Sequence, residues 1–165
     1  MVRNDRVIWA SCMVSCGDAD GAVTGNTRRY GASLEKIKKV IDPRPGEIMF
    51  GLNMIVHKGK TVFIGDTSVH EYPTSEQLAE IAISSARVIK LFGFEPKVAF
   101  VSHSTFGQPL TSRTKHIKNA VDILKEKNVD FKFDGDMPPD VALNAEYKEL
   151  YPFSEIVGNA NILVM

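Results

Sequence analysis

Apolar positions along this chain recur with two different periods, and their alternation predicts a layered α/β fold. The clearest helix begins after Pro73: Leu78, Ile81, Ser85, Val88, Ile89 and Phe92 form one stripe, with Glu76, Glu80, Arg87 and Lys90 mostly elsewhere. Thr74 is placed to cap it, Gln77 stands three residues on as the reciprocal side chain of a capping box, and Gly93 closes it. A second helix is expected from about Arg113 to Lys127, turning Ile117, Ala120, Val121 and Leu124 inward. A third covers Ser33 to Val40 and stops at Asp42-Pro43-Arg44-Pro45-Gly46, the strongest breaker in the sequence. Val7 to Ser15 is apolar enough for helix or strand; we read a helix ending near Gly17. Asp140 to Leu143 opens one more short helix.

The strand candidates are shorter. Ile48 to Val56 and Lys60 to Ile64 flank His57-Lys58-Gly59, a hairpin-like turn. Val98 to Val101 is a brief apolar run that stops in Ser102, His103, Ser104 and Thr105. Such a run reads as a strand buried on both faces, hence parallel and covered by helices. Phe131 and Phe133 alternate with polar residues ahead of Asp134-Gly135-Asp136, and Ala22 to Thr24 is a further short candidate. Asn161 to Met165 reads as the start of a buried strand, which implies a piece of something longer. Strands alternating with helices argue a layered sheet, here within one domain.

Composition narrows the class. A chain of 165 residues, 44% hydrophobic and 24% charged, can bury a real core as a soluble protein. Twenty basic residues balance 20 acidic ones, so no long-range field favours nucleic acid or an anionic membrane. No apolar run approaches the roughly 20 residues of a membrane span, and the N-terminus lacks a signal-peptide core. We expect a cytoplasmic protein. Cys12 and Cys16 fall one helical turn apart, cannot complete a zinc site by themselves, and read as reduced, semi-buried thiols.

Three polar turns follow strand candidates: Gly65-Asp66-Thr67-Ser68, Ser102 to Gly107, and Asp134-Gly135-Asp136. On parallel neighbours they converge on one edge as a polar cleft, where hydroxyls and an unhindered glycine backbone suit phosphate or carboxylate oxygens. Asp and Ser in such turns also serve as helix caps. Other chemistry is excluded. There is no nucleophile elbow, no phosphate-binding glycine loop, and no third metal ligand spaced to join Asp66 and His70. His103 beside Ser102 points to the opposite face of a strand. His57 and His116 sit among lysines and read as solvated, as does the basic set Arg28, Arg29, Lys36, Lys38 and Lys39. The residues by themselves establish an α/β domain with a polar cleft and no complete catalytic set.

Five segments together resemble the phosphate acetyltransferase superfamily. They are CGDADGAVTGNTRRY (16–30), VFIGDTSVHEYPTSEQLAEIAISSA (62–86), VAFVSHSTFG (98–107), VDFKFDGDMPPDVALN (129–144) and GNANILVM (158–165). VIDPRPGE (40–47), HEYPT (70–74), Phe106 and DMPPDVALN look like one branch, the phosphotransacetylase-like C-terminal region of bacterial NADP-dependent malic enzymes. The resemblance implies a layered α/β/α sandwich of the isocitrate/isopropylmalate dehydrogenase-like type, with this chain mainly one lobe of a two-lobe domain. It also implies ligand-facing roles for Asp66, Ser102, Ser104, Thr105, Gly107, Asp134 and Gly135.

Departures from the family pattern imply a changed role. Phe106 stands where active transferases have Lys, Gln108-Pro109 replaces a small polar residue, and Glu35 stands where an Arg that holds acyl phosphate is expected. A carboxylate in place of that cation repels phosphate. The family's Ser-Arg pair and base Asp fall beyond Met165, so no catalytic or metal residue is expected in this chain. The resemblance implies an acyl-CoA-responsive, oligomer-forming domain of an enzyme that decarboxylates malate to pyruvate. Acetyl-CoA would be its effector, N-terminal malic enzyme domains would hold NADP and Mg or Mn, and the assembly would be a homo-oligomer. The alternative is a fragment of an active transferase moving acetyl between acetyl phosphate and CoA.

Overall fold

The computed structural model describes residues 4–165, apart from the side chain of Arg113. The chain forms two compact units, Met1–Gly46 and Glu47–Met165.

The first unit contains helices α1 (Arg6–Ser15) and α2 (Tyr30–Ile37). Asp5 caps α1, its carboxylate accepting from the Val7 and Ile8 amides at 3.0 and 3.4 Å. The same carboxylate pairs with Lys36 of α2 and, at 3.7 Å, with Arg28, which ties the two helices together. Ala22 to Thr24 is not a strand: the segment is irregular, Val23 is fully exposed, and among the described residues no strand pairs with it. Helix α2 ends at Ile37, and Lys38 to Val40 form a turn beyond it. Both thiols are free, Cys12 half-buried in α1 and Cys16 exposed at its end.

The second unit is an α/β fold around a mixed five-stranded sheet in the order β1-β2-β5-β3-β4. Strands β1 (Leu52–His57) and β2 (Lys60–Gly65) form an antiparallel hairpin through Lys58 and Gly59, both at positive φ, 47° and 77°. That pair of conformations makes a two-residue turn whose twist matches the strands. The expected first strand begins later than Ile48, because Gly51 gives its amide to Asp66 rather than to a ladder. Strand β5 (Ile162–Val164) lies between β2 and β3 (Lys97–Val101), parallel to both, and β4 (Lys132–Met137) runs parallel at the edge. All four parallel strands therefore present their carboxyl ends on one side.

Alternation along the central strands divides the core. Val98, Phe100, Ile162 and Val164 face helices α3 (Ser75–Leu91) and α4 (Ser112–Glu126), meeting Ile81, Ile89, Ala120 and Leu124. Ala99, Leu163 and Met137 face the opposite layer, built from the short helix α5 (Pro139–Leu143) with Ile156 and Val157. Thr74 and Gln77 form the expected capping box on α3. At its far end the Gly93 amide bonds to Lys90 and the Phe94 amide to Ile89, with Gly93 at φ 81°. Phe92 belongs to the predicted stripe yet is 60% exposed, because it is the C-cap residue, past the last helical turn of α3. Asp134-Gly135-Asp136 is not a turn after a strand but lies within β4.

Candidate ligand site at the carboxyl edge of the sheet

Asp136 organises the loop that follows β3. Its buried carboxylate accepts from the Ser104 hydroxyl and, at 2.8 Å, from the Gly107 amide. Its own carbonyl accepts the Phe106 amide at 2.6 Å. The Ser104 amide donates to the Ser102 hydroxyl at 3.0 Å, and the two serine hydroxyls lie 2.7 Å apart. The Thr105 and Gln108 backbones exchange hydrogen bonds at 3.0 and 3.2 Å. The loop is thus cross-linked to β4 and to itself.

This bonding corrects part of the sequence reading. The Ser104 hydroxyl and Gly107 amide are already engaged by Asp136. Outward polar capacity rests on Ser102 and Thr105, both half-buried, and on exposed His103. Phe106 and Gly107 sit at positive φ, 48° and 86°, which turns the chain back toward β4. The Phe106 ring packs against Tyr151 and Phe153, with centroids 5.4 and 4.8 Å away.

Between this loop, β4 and α4 runs a groove of about 390 Å³. Phe106, Gly107, Asp134, Gly135 and Asp136 line one side, with Thr114, Lys118 and Lys125 of α4 on the other. Lys125 is paired with Asp122 at 3.3 Å, whereas Lys118 has no carboxylate partner among the described residues. Six of the seven predicted positions (Ser102, Ser104, Thr105, Gly107, Asp134 and Gly135) therefore gather around Asp136 and this groove.

Asp66 does not join them. It follows β2, with β5 and β3 between it and β4. Its carboxylate is shut off from solvent and accepts from the amides of Gly51, Ser68, Val69 and His70 at 2.8 to 3.2 Å, and contacts His70 Nδ1 at 2.8 Å. Burial opposes ionisation, but the hydrogen bonds from Ser68, Gly51 and His70 outweigh it and hold the carboxyl below its ordinary value. Asp66 shapes the turn between β2 and α3 instead of presenting a carboxylate to a ligand.

A second cavity, about 320 Å³, opens at the same sheet edge between the starts of α3 and α4. Tyr72, Leu78, Val101, Ile117 and Met165 make it largely apolar, and exposed His116 stands at its wall. Among the described residues no three His, Cys, Asp or Glu side chains cluster to hold a metal, and no helix is long and apolar enough to cross a membrane.

A model of the phosphate acetyl/butaryl transferase family matches residues 1–165, the whole chain. The chain belongs to that family. Within it, the chain is 47% identical over its full length to an NADP-dependent malic enzyme from Rhizobium meliloti, of which it spans 22%. It is 36% identical over 99% of its length to a phosphate acetyltransferase from Clostridium acetobutylicum, spanning 52% of that protein. A solved phosphotransacetylase from Streptococcus pyogenes superposes with a TM-score of 0.85 at 27% identity, over 95% of this chain and 49% of the other. The chain thus spans about a fifth of its malic enzyme relatives and about half of the shorter transferases.

Sequence reasoning placed Asp136 in a polar turn but left it out of the ligand-facing set. Its signal was available: a turn rich in hydroxyls and glycine needs an acceptor. Asp136 lies at the carboxyl end of the strand next to that turn.

Proposed function

We propose that this chain is a non-catalytic, acyl-CoA-responsive and oligomer-forming domain of an NADP-dependent malic enzyme, and that the groove beside Asp136 is where the thioester ligand binds. The observation that carries this reading is Phe106. Where the family resemblance expects a lysine, an aromatic ring is packed against Tyr151 and Phe153, so the loop offers hydroxyls without the cation that would clamp a reacting phosphate. Lys118 across the groove supplies positive charge suited to holding a phosphate-bearing ligand in place. Binding would act through differential affinity for two states of the parent enzyme. In this reading the parent is cytoplasmic, its other domains hold NADP and the divalent metal, and the fold is one lobe of an isocitrate dehydrogenase-like pair.

The test is acetyl-CoA added to the parent malic enzyme while malate oxidation is followed. A shift in malate KM or in kcat is expected, and Lys118→Ala should weaken the response. Kinetics unchanged at saturating acetyl-CoA would remove the regulatory claim.

A second reading, part of an active phosphate acetyltransferase, is favoured by the similarity to the Clostridium acetobutylicum protein. It predicts that the parent protein converts acetyl phosphate and CoA to acetyl-CoA and phosphate, an activity the first reading expects to be missing.

A further inference from the structure

Helix α1 carries a sulfur-rich face that neither the core nor the proposed ligand groove uses. Its buried side is Val7, Ile8 and Ser11. On the other side Trp9, Cys12, Met13 and Cys16 stand at i, i+3, i+4 and i+7, the spacing that puts residues on one face of a helix. Trp9 is 55% and Met13 39% exposed, Cys12 is half-buried and Cys16 is exposed. The Cys16 amide donates to the Cys12 carbonyl at 2.9 Å, so the two cysteines are the ends of one helical hydrogen bond and the backbone fixes their spacing. Met13, three residues before Cys16, adds a third sulfur to the same turn.

That spacing determines what the thiols can do. Cβ atoms one turn apart on a helix lie about 5–6 Å from each other. A disulfide needs about 3.5–4.5 Å, so the pair cannot close on itself without bending the helix. A metal–thiolate bond is about 2.3 Å, and one ion held between two sulfurs sets them about 4.6 Å apart, a separation these side chains reach from an undistorted helix. The donors then select the ion. Two thiolates and a thioether are soft ligands, which favour Cu(I). Arg6–Ser15 contains no Asp, Glu or His, so the helix has no hard donor for a divalent ion, and three sulfurs fall short of the four ligands of a structural zinc site. Helix α1 also ends without a Lys, Arg or His in its last turn, so a cation held at Cys16 would complement the negative end of the helix dipole.

We propose that Cys12, Cys16 and Met13 bind one Cu(I) ion per chain, the cysteines as thiolates and the thioether as a third, weaker donor. Two S–H bonds break, two Cu–S bonds form and two protons pass to solvent, with no change in the oxidation state of copper or sulfur. The indole of Trp9 then stands one turn from the ion, on the same face. The site lies wholly within the first unit and does not depend on acyl-CoA binding, so either proposal can fail alone.

Trp9 is the sole tryptophan of the chain, so its emission reports on this face. Cu(I) titrated anaerobically into the chain, in competition with a coloured Cu(I) chelator, should bind at one ion per chain and quench that emission. Zn(II) at the same concentration should leave it unchanged. Cys12→Ser and Cys16→Ser each remove a ligand and should cost about a hundredfold in affinity or more, and Met13→Leu about tenfold. A double variant, Val14→Cys with Cys16→Ser, keeps two thiols but turns one to the other side of the helix; it should bind no better than Cys16→Ser alone. Circular dichroism establishes that each variant keeps its helices. Should the serine variants fail to fold, stoichiometry and Trp9 quenching in the wild-type chain remain as the test. Copper left with the chelator, one ion shared between two chains, or unquenched Trp9 would each overturn the proposal. So would full affinity in Cys16→Ser or in the double variant.

Discussion

Replacing Asp66 with Asn should lower the unfolding free energy by about 3 kcal/mol, the cost typical of breaking a buried, fully hydrogen-bonded ion. Both carboxylate oxygens are in use. Oδ1 accepts from Gly51, Ser68 and Val69, and Oδ2 accepts from the His70 amide and meets His70 Nδ1. An amide can keep only one oxygen there, and its NH₂ group would confront donors at the other position. The same contacts set a pH dependence. Because the folded-state pKa of Asp66 is depressed below that of an ordinary, unfolded-state aspartate, its contribution is present in full above that ordinary value. It is lost as pH falls through the lower, folded-state value, when the buried group must take a proton. Chemical denaturation of wild type and Asp66→Asn at neutral and acid pH checks both statements: the gap between them should narrow on acidification. A gap that is constant or widens would show that the carboxylate charge is not what holds the turn.

Gly135→Ala should be strongly destabilising. Gly135 sits in β4 at φ 148°, where side chains are strained, and an added Cβ would stand 2.7 Å from the Phe100 carbonyl oxygen and 2.8 Å from the Phe100 Cβ. Phe100 is fully buried in the central sheet, so neither partner can step aside without moving β3. Strain and overpacking together cost about 3 kcal/mol or more, a large share of an ordinary domain's stability. The expected result is a sharply lowered Tm with loss of the ordered loop 102–107, read by calorimetry and by amide exchange at Gly107. A Tm within a degree or two of wild type would mean that β4 can shift away from β3 at no cost.

These two residues also mark where the sequence was legible. Helix α3 could be read to its caps, because a capping box, an apolar stripe and a closing glycine are local signals that tertiary contacts did not override. The buried strands β3 and β5 were equally plain from short runs of branched and aromatic residues. Asp134-Gly135-Asp136 was misread because its composition is that of a turn. Its glycine serves close approach of β3 to β4, and Asp136 serves as an acceptor for the neighbouring loop, contacts that no local pattern encodes. Ala22 to Thr24 failed in the other direction, since a strand-like triplet with nothing to pair with stays irregular. Asp66 was placed on the correct sheet edge, but its orientation depends on Gly51, 15 residues earlier.

The central claim is that the edge organised by Asp136 recognises a thioester-bearing nucleotide. Amide chemical shifts of the labelled chain, followed while acetyl-CoA is added, test it most directly. The account predicts saturable shifts concentrated at His103, Thr105, Gly107, Gly135 and Lys118, with Asp66 and Ser68 little changed. Saturation with those five amides unmoved, or binding confined to the turn after β2, would contradict it.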